Sequence, residues 1–494
     1  MRYDHGVRAR ATLLFAPIAL AGCSSILGID GFSVGDGGVG SGGVDAAPSG
    51  ILQRAYLKES DTATTDALGT AIASSADGNT LAVGADAEAG TGAVYIYTRS
   101  GTTWAQQAVV RAASGDIGDL FGHSVAMSAD GNTLAIGADG EASGSNQING
   151  NQTDNSSPAS GAVYVFTRSG TSWAQTTYLK ASNRDANDHF GAAVALAGDG
   201  LTLVAGAPQE ASSTTGASPN TSNANDNAAT AGAAYVFAFG GTTWTQQAYV
   251  KASNTGPGDL FGSSVALSTD GSTLVAGAIG ESSAVRNVGG LQADNSATAA
   301  GAAYVFTRAA TAWSQQVYLK ASNTEAGDAF GAALALSGDG NTLVVGAPSE
   351  DSLTAPGDNN AQDSGAAYAF TRSGTAWATA GMLKAAAPAA NDKFASAIAL
   401  SIAGGSLVVG AHGAHGKGAA DIFTRGTAFS LTAELTATNA GPNDSFGQSV
   451  AVGGTSTTQG FAVGAPGEDS MATGINGDGA NNGATDSGAA YIFQ

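Results

Sequence analysis

Carboxylates recur in fixed phase along this sequence, and they are the side chains with most scope for chemistry. An Asp stands two residues before an apolar anchor at Asp66, Asp119, Asp188, Asp259, Asp328, Asp392 and Asp444. A Glu stands four residues after a glycine at Glu88, Glu141, Glu210, Glu281, Glu350 and Glu468. Hard oxygen ligands among Asn, Asp and Gly suit Ca²⁺ better than a soft metal. Two groups are dense enough to offer a ligand set. One is Glu350, Asp351, Asp358 and Asp363; the other is Glu468, Asp469, Asp478 and Asp486. Ca²⁺ is thus the one cofactor expected. Both series also have a structural use, because a loop carboxylate can accept hydrogen bonds from its own loop's amides. His412 and His415 form a His-x-x-His pair without an evident third ligand, which also reads as a polar loop. His123 and His189 flank anchor phenylalanines and do not repeat. No nucleophile elbow, zinc-protease signature, phosphate loop or dinucleotide fingerprint occurs, so the chain is not expected to be an enzyme.

The carboxylates are phased because the chain repeats. Its anchors are Leu68, Phe121, Phe190, Phe261, Phe330, Phe394 and Phe446, which mark seven units. Each unit holds four short runs, A to D, of alternating β-branched, aromatic and small residues, which predict strands. A and B are joined by Asp-Gly, as at Asp130-Gly131 and Asp339-Gly340, which suits a two-residue hairpin turn. Trp104, Trp173, Trp244, Trp313 and Trp377 follow the C–D turn, with Phe429 in the sixth unit, and fit packing on the outer strand. Four antiparallel strands repeated seven times predict an all-β, seven-bladed β-propeller. The last unit ends after run C, whereas Ala55–Lys58 matches run D elsewhere. The N-terminal strand is therefore expected to complete the last blade and close the ring.

Alternating strand directions put the B–C loops and D–A links on one face. That face carries every long insertion: 142–160, 211–231, 282–300, 351–364 and 469–487. Binding is expected there, since long loops on a rigid scaffold are where it usually resides. The Asp series, with Glu88, Glu141, Glu210 and Glu281, is assigned to this binding face. Lys58, Arg111, Lys180, Lys251, Lys320 and Lys384 end run D near the acidic rim, where they partly offset it. Arg99, Arg168, Arg308, Arg372 and Arg425 sit at C–D turns on the opposite face.

Before the repeats, residues 1–22 read as an export signal, with Arg2, Arg8 and Arg10 ahead of a short apolar stretch. It ends Leu20-Ala21-Gly22-Cys23, which resembles the bacterial lipobox; the chain's one Cys would then be lipidated. Residues 23–50 read as a flexible Gly/Ser-rich tether and 51–494 as one propeller. Ser24 after the cysteine favours the outer membrane or cell surface, by resemblance to lipoproteins. With 19 Lys and Arg against 40 Asp and Glu, the net charge is −21, which excludes a nucleic-acid footprint.

The units resemble the FG-GAP repeat of the integrin α-chain N-terminal propeller. The resemblance rests on Phe-Gly at Phe190, Phe261, Phe330 and Phe446, and on Gly-Ala-Pro at 206–208, 346–348 and 464–466. It implies a seven-bladed propeller and extracellular adhesion or ligand binding. One departure matters. The family's D-x-D-x-D-G calcium loop between strands A and B is reduced here to a single Asp, as in Ser128-Ala129-Asp130-Gly131, and is not carried over. No Arg-Gly-Asp triplet occurs. The expected function is non-enzymatic cell-envelope binding or adhesion by a lipid-anchored, monomeric head that recognises a protein or glycan. An envelope scaffold and a polymer-acting hydrolase are the alternatives.

Overall fold

The computed structural model describes residues 50–219, 225–353, 356–455 and 459–494. Cys23, the signal-like segment and all of the expected tether except Gly50 lie outside these. The described residues form seven antiparallel sheets, and their innermost strands touch one another in cyclic order, which closes a ring. Blade 4 is typical, with strands A to D at Phe261–Leu267, Thr273–Ala278, Ala302–Ala309 and Ala312–Leu319. Blade 3 gains a short fifth strand, Ala217–Ser218, from its insert. The protein is therefore the seven-bladed β-propeller its repeats predict.

Closure follows the expected route. Gln53–Leu57 pairs antiparallel with Ala489–Phe493 and becomes the outer strand of blade 7, beside Gly460–Ala465 and Ser449–Gly453. Tyr56 and Tyr491 meet at 5.2 Å across this joint. A closed ring leaves no end blade exposed to edge pairing.

Each anchor phenylalanine is fully buried and meets run-C aromatics at a steep angle. Phe261 lies 5.5 Å from Tyr304 and 6.1 Å from Phe306, for example. Burying one such side chain is worth roughly 1.5–3 kcal/mol. The glycine after the anchor and the glycine of strand B serve one contact. A Cβ on Gly206 would collide with the carbonyl oxygen of Gly262 in the next blade, and Gly277 stands likewise against Gly331. The carbonyl can come this close only because the strand-B residue is glycine and has no side chain in the way.

The A–B connection differs from the expected two-residue turn. Ser75 and Thr80 close a four-residue loop, with Gly78 N bonding Ser75 O and Gly78 at φ +68°. Ser75 Oγ accepts from Thr80 N and donates to Asp77, so side chains complete the turn. These loops interlock around the axis: Ala76 N bonds Ala129 O, Ala129 N bonds Gly198 O, Gly198 N bonds Thr269 O, and Gly454 N returns to Ala76 O.

In strand D, one residue bulges out of register in all seven blades. In blade 4 the break falls between Gln315, opposite Phe306, and Val317, opposite Val305, which leaves Gln316 as the extra residue. A bulge re-aims its side chain, and Gln316 reaches Trp377 Nε1 of the next blade at 2.8 Å.

Candidate functional site

The repeated carboxylates lie beneath the loop face rather than on it. In blade 2, Glu141 is 2% exposed and its Oε2 sits 2.8 Å from Lys180 Nζ, itself fully buried. That ammonium also donates to Ser160 Oγ and Gly161 O, so its three protons are all used. Lys58–Glu468, Lys251–Glu210, Lys320–Glu281 and Lys384–Glu350 repeat the pair at 2.7–3.1 Å. Burial lowers the pKa of each lysine, and its glutamate partner opposes that shift. The lysines thus belong to the core, not to the rim where they were expected.

An asparagine three residues after Lys180, Lys251 and Lys320 joins the network to the next blade. Asn254 donates to Glu281 Oε1 at 3.0 Å and accepts from Tyr304 OH at 2.7 Å. Asn183 and Asn323 repeat the arrangement, and Asn439 makes the same two bonds although Thr436 stands in the lysine's place there. The seam between blades 7 and 1 is a variant. Asp61 takes the asparagine's place and accepts from Tyr95 OH at 2.9 Å. Two carboxylates then face each other, and Arg111 replaces the lysine, reaching Glu88 at 2.7 Å and Asp61 at 3.7 Å.

The Asp series is also turned inward. In every unit the carboxylate accepts from the amide three residues upstream, as with Asp66 from Ala63, Asp188 from Asp185 and Asp444 from Gly441. Asp119, Asp259, Asp328 and Asp392 do the same. Burial raises Asp119 and Asp259 to about 6, and Asp188 and Asp328 to about 7, against the opposing pull of that amide. Asp392 and Asp444 are raised for the same reason. These residues, with Glu88, Glu141, Glu210 and Glu281, are buried beneath the loop face and not displayed on it.

The two groups expected to hold Ca²⁺ are dispersed by other bonds. Glu350 and Glu468 are committed to Lys384 and Lys58. Asp351 accepts from Asp363 N, Asp358 from Leu353 N, and Asp363 pairs with Lys393 at 2.7 Å. Asp469 accepts from Asp486 N and Asp478 from Ala480 N. Among the described residues, no three His, Cys, Asp or Glu side chains gather as a metal-holding group. His412 and His415 also part company: His412 Nδ1 meets Ser396 Oγ at 2.9 Å, and His415 Nε2 meets Glu434 at 3.2 Å.

The loop face exposes carboxylates from the inserts and links, beside the cations Arg286 and Lys417. Asp116, Asp185, Asp226 and Asp486 are exposed, and Asp154 and Asp294 half-buried. Near the axis on this side, His123 Nδ1 lies 3.0 Å from Asp86, and His189 Nδ1 lies 3.1 Å from Asp139. The Asp86 hydrogen bond raises the His123 pKa despite burial. Both pairs cross a blade seam, and sequence reading missed them because His and Asp lie 37 and 50 residues apart.

Blade 6 departs from its neighbours. Thr436, Ala414, Asp421 and Glu434 stand where blades 2, 3, 4 and 7 have the lysine, the glutamate and the two facing tyrosines. Asp421 is 1% exposed, and burial, with Glu434 beside it, raises it to about 7. On the opposite face, the axial mouth is a cavity of about 460 Å³ ringed by Met127, Leu196, Leu267, Leu336, Leu400 and Val452.

A family model described as FG-GAP repeat matches residues 104–166, 173–237, 244–306, 313–370 and 429–493. No curated protein matches the chain. Among solved structures, a hydrazine synthase from Kuenenia stuttgartiensis is similar at 13% identity and a TM-score of 0.48, covering 82% of this chain and 93% of that one. The Cps50 (Swd1) β-propeller domain of Myceliophteria thermophila is similar at 12% identity and a TM-score of 0.45, covering 86% and 96%. The WD40 repeats of RRP9 give 10% identity, a TM-score of 0.48, and coverage of 90% and 98%.

Proposed function

Because this chain belongs to the FG-GAP repeat family, whose propellers point to a protein-interaction or scaffold role, we propose that it is a non-enzymatic binding protein of the bacterial cell envelope. In this reading Cys23 carries the lipid, residues 24–50 act as a leash, and the propeller recognises a protein or glycan through its B–C and D–A loops. The observation that carries the reading is the division of labour among the carboxylates. The repeated Asp and Glu hold the scaffold together, whereas Asp116, Asp185, Asp226 and Asp486 stay exposed on long loops of one face. Acidic loops on a rigid disk favour cationic or polar partners. The inward commitment of Glu350 and Glu468 favours capture that does not depend on Ca²⁺.

The test is capture from surface extracts by the chain and by a variant whose five inserts are replaced with short turns. Loss of capture with an unchanged melting temperature supports the reading; capture that survives the replacement overturns it. Cys23→Ala should abolish acyl-chain labelling and release the protein into the soluble fraction.

A further inference from the structure

Blade 3 breaks a repeated clasp on the turn face. In its neighbours the C–D arginine lies over its blade's Trp ring, 5.6 Å away for Arg168–Trp173 and Arg308–Trp313 and 5.4 Å for Arg372–Trp377. The same guanidinium reaches a threonine of the preceding blade, Thr80, Thr202 and Thr273 respectively, each at 3.3 Å. In blades 1, 2 and 5 its Nε bonds an A–B asparagine: Asn79, Asn132 and Asn341. The Trp Nε1 of blades 2, 4 and 5 donates to the bulged glutamine of the blade before it, Gln107, Gln247 or Gln316, at 2.8–3.1 Å.

Three of these positions change together at the seam between blades 2 and 3. Phe239 stands for the arginine and Leu201 for the asparagine, while the bulged residue of blade 2 is Thr176 instead of glutamine. Phe239 packs 5.5 Å from Trp244. Among the described residues, no arginine reaches Thr133, the blade 2 counterpart of Thr80. A cavity of about 360 Å³ occupies the space a guanidinium fills elsewhere, with Thr133, Thr167, Thr176, Leu201, Phe239 and Trp244 in its wall. Trp244 is only 6% exposed, Leu201 is 44% exposed, and Phe239 is half-buried. Unlike Trp173, Trp313 and Trp377, Trp244 faces a threonine and not a glutamine across its seam.

We propose that this cavity is a binding site for a neutral saccharide ring. The wall dictates that chemistry. It holds no charged side chain, so a charged ligand would lose hydration without gaining a partner. It pairs an aromatic and aliphatic side, Phe239, Trp244 and Leu201, with threonine hydroxyls on the blade 2 side. The Thr176 hydroxyl already donates to Val165 O; a purely apolar guest would cover the Thr133 and Thr167 hydroxyls and the indole N–H without offering them a partner, which costs about 1–3 kcal/mol for each group so buried. A pyranose meets both demands: its C–H face covers the rings, and its hydroxyls accept from Trp244 Nε1 and exchange hydrogen bonds with the threonines. About 360 Å³ lies within the range of small-ligand pockets. The site lies on the turn face, apart from the insert-bearing loops, so it stands or falls separately from them.

The experiment titrates the full chain with glucose, galactose, mannose and N-acetylglucosamine, read by saturation-transfer NMR and by tryptophan fluorescence. The control is the double variant F239R/L201N, which restores the clasp of blades 1, 2 and 5 and fills the cavity while keeping a local packing the fold already uses. Saturable millimolar binding of at least one sugar is expected, weakened at least tenfold in the variant, whose melting temperature is unchanged or higher. Three outcomes overturn the proposal: no saturable sugar binding, binding equal in the variant, or binding of phenol with none of the sugars.

Discussion

Lys58 Nζ lies 3.1 Å from Glu468 Oε2, with both side chains buried and 410 residues of chain between them. The pair ties the N-terminal strand to the blade that ends the chain, and the ammonium also holds Ser487 Oγ. Removing one partner leaves an uncompensated buried charge, which typically costs about 3–5 kcal/mol, whereas replacing both with apolar residues is often close to neutral. Lys58→Met should therefore destabilise the propeller by about 3 kcal/mol or more. Lys58→Met with Glu468→Leu should recover most of that loss. Chemical denaturation of the two variants checks both statements.

Glu59, the next residue, is a cost built into the same seam. It is fully buried, and neither carboxyl oxygen has a hydrogen-bond donor. Other blades have alanine here, at Ala181, Ala252 and Ala321. Burial, followed by the facing Asp66 carboxylate, pushes its pKa from 4.5 up to about 10. Between those values the folded protein keeps a proton that the unfolded chain has released. Folding then takes up a proton, so stability falls as pH rises through this window, by up to about 1.4 kcal/mol per pH unit. Glu59→Gln keeps the shape without the charge. The variant should melt higher than the parent at pH 9 and show a flatter dependence of melting temperature on pH.

Much of this architecture was legible in the sequence. Seven anchors and a leftover strand were enough for the blade count and the closure, because blades repeat and a propeller must close. The role of the repeated carboxylates was not. Glu141 and Lys180 are 39 residues apart, and a loop glutamate has no period showing whether it points out or folds back under its loop. The lysine at the end of strand D resembled a rim charge for the same reason. A trace was present in Lys-Ala-Ser-Asn at 180–183, 251–254 and 320–323, since an exposed rim would not need the same asparagine each time. The Asp-Gly pairs signalled turns correctly but understated their length, because the closing bonds come from Ser75 and its counterparts as well as from the ladder.

The Asp61 and Arg111 pair carries its own test. An ammonium is a point charge, whereas a guanidinium presents several donors in a planar fork. Arg111→Lys should lose the bridge to Asp61, and Asp61→Asn should remove the need for it. Both side chains are substantially exposed, 43% for Arg111 and 56% for Asp61, which limits the coupling to about 1 kcal/mol or less. A double-mutant cycle on thermal stability should give a favourable coupling between Asp61 and Arg111. The chain carrying both Asp61→Asn and Arg111→Lys should be less impaired than the chain carrying Arg111→Lys alone.

Ala395 offers a gain instead of a loss. It occupies the place of the anchor glycine in blade 6, at φ +69°, where Gly262 and Gly331 adopt +87° and +97°. Its carbonyl makes the same close approach to Gly346 that the glycine carbonyls make elsewhere. An L-residue in this left-handed region carries roughly 1–2 kcal/mol of strain that glycine does not. Glycine also loses more entropy on folding, which returns up to about 1 kcal/mol of that. The Ala395 methyl is fully buried, so its removal forfeits some packing. Strain relief wins if the blade seam can close on the vacated space, as it does around Gly262 and Gly331. Ala395→Gly should then raise stability by roughly 0.5 kcal/mol, whereas Gly262→Ala should lower it by more than about 1 kcal/mol, because its new Cβ would strike the carbonyl oxygen of Ala233. Denaturant midpoints of the two variants moving in opposite directions from the parent would confirm that the anchor glycine is kept for its backbone and not for its lack of bulk alone.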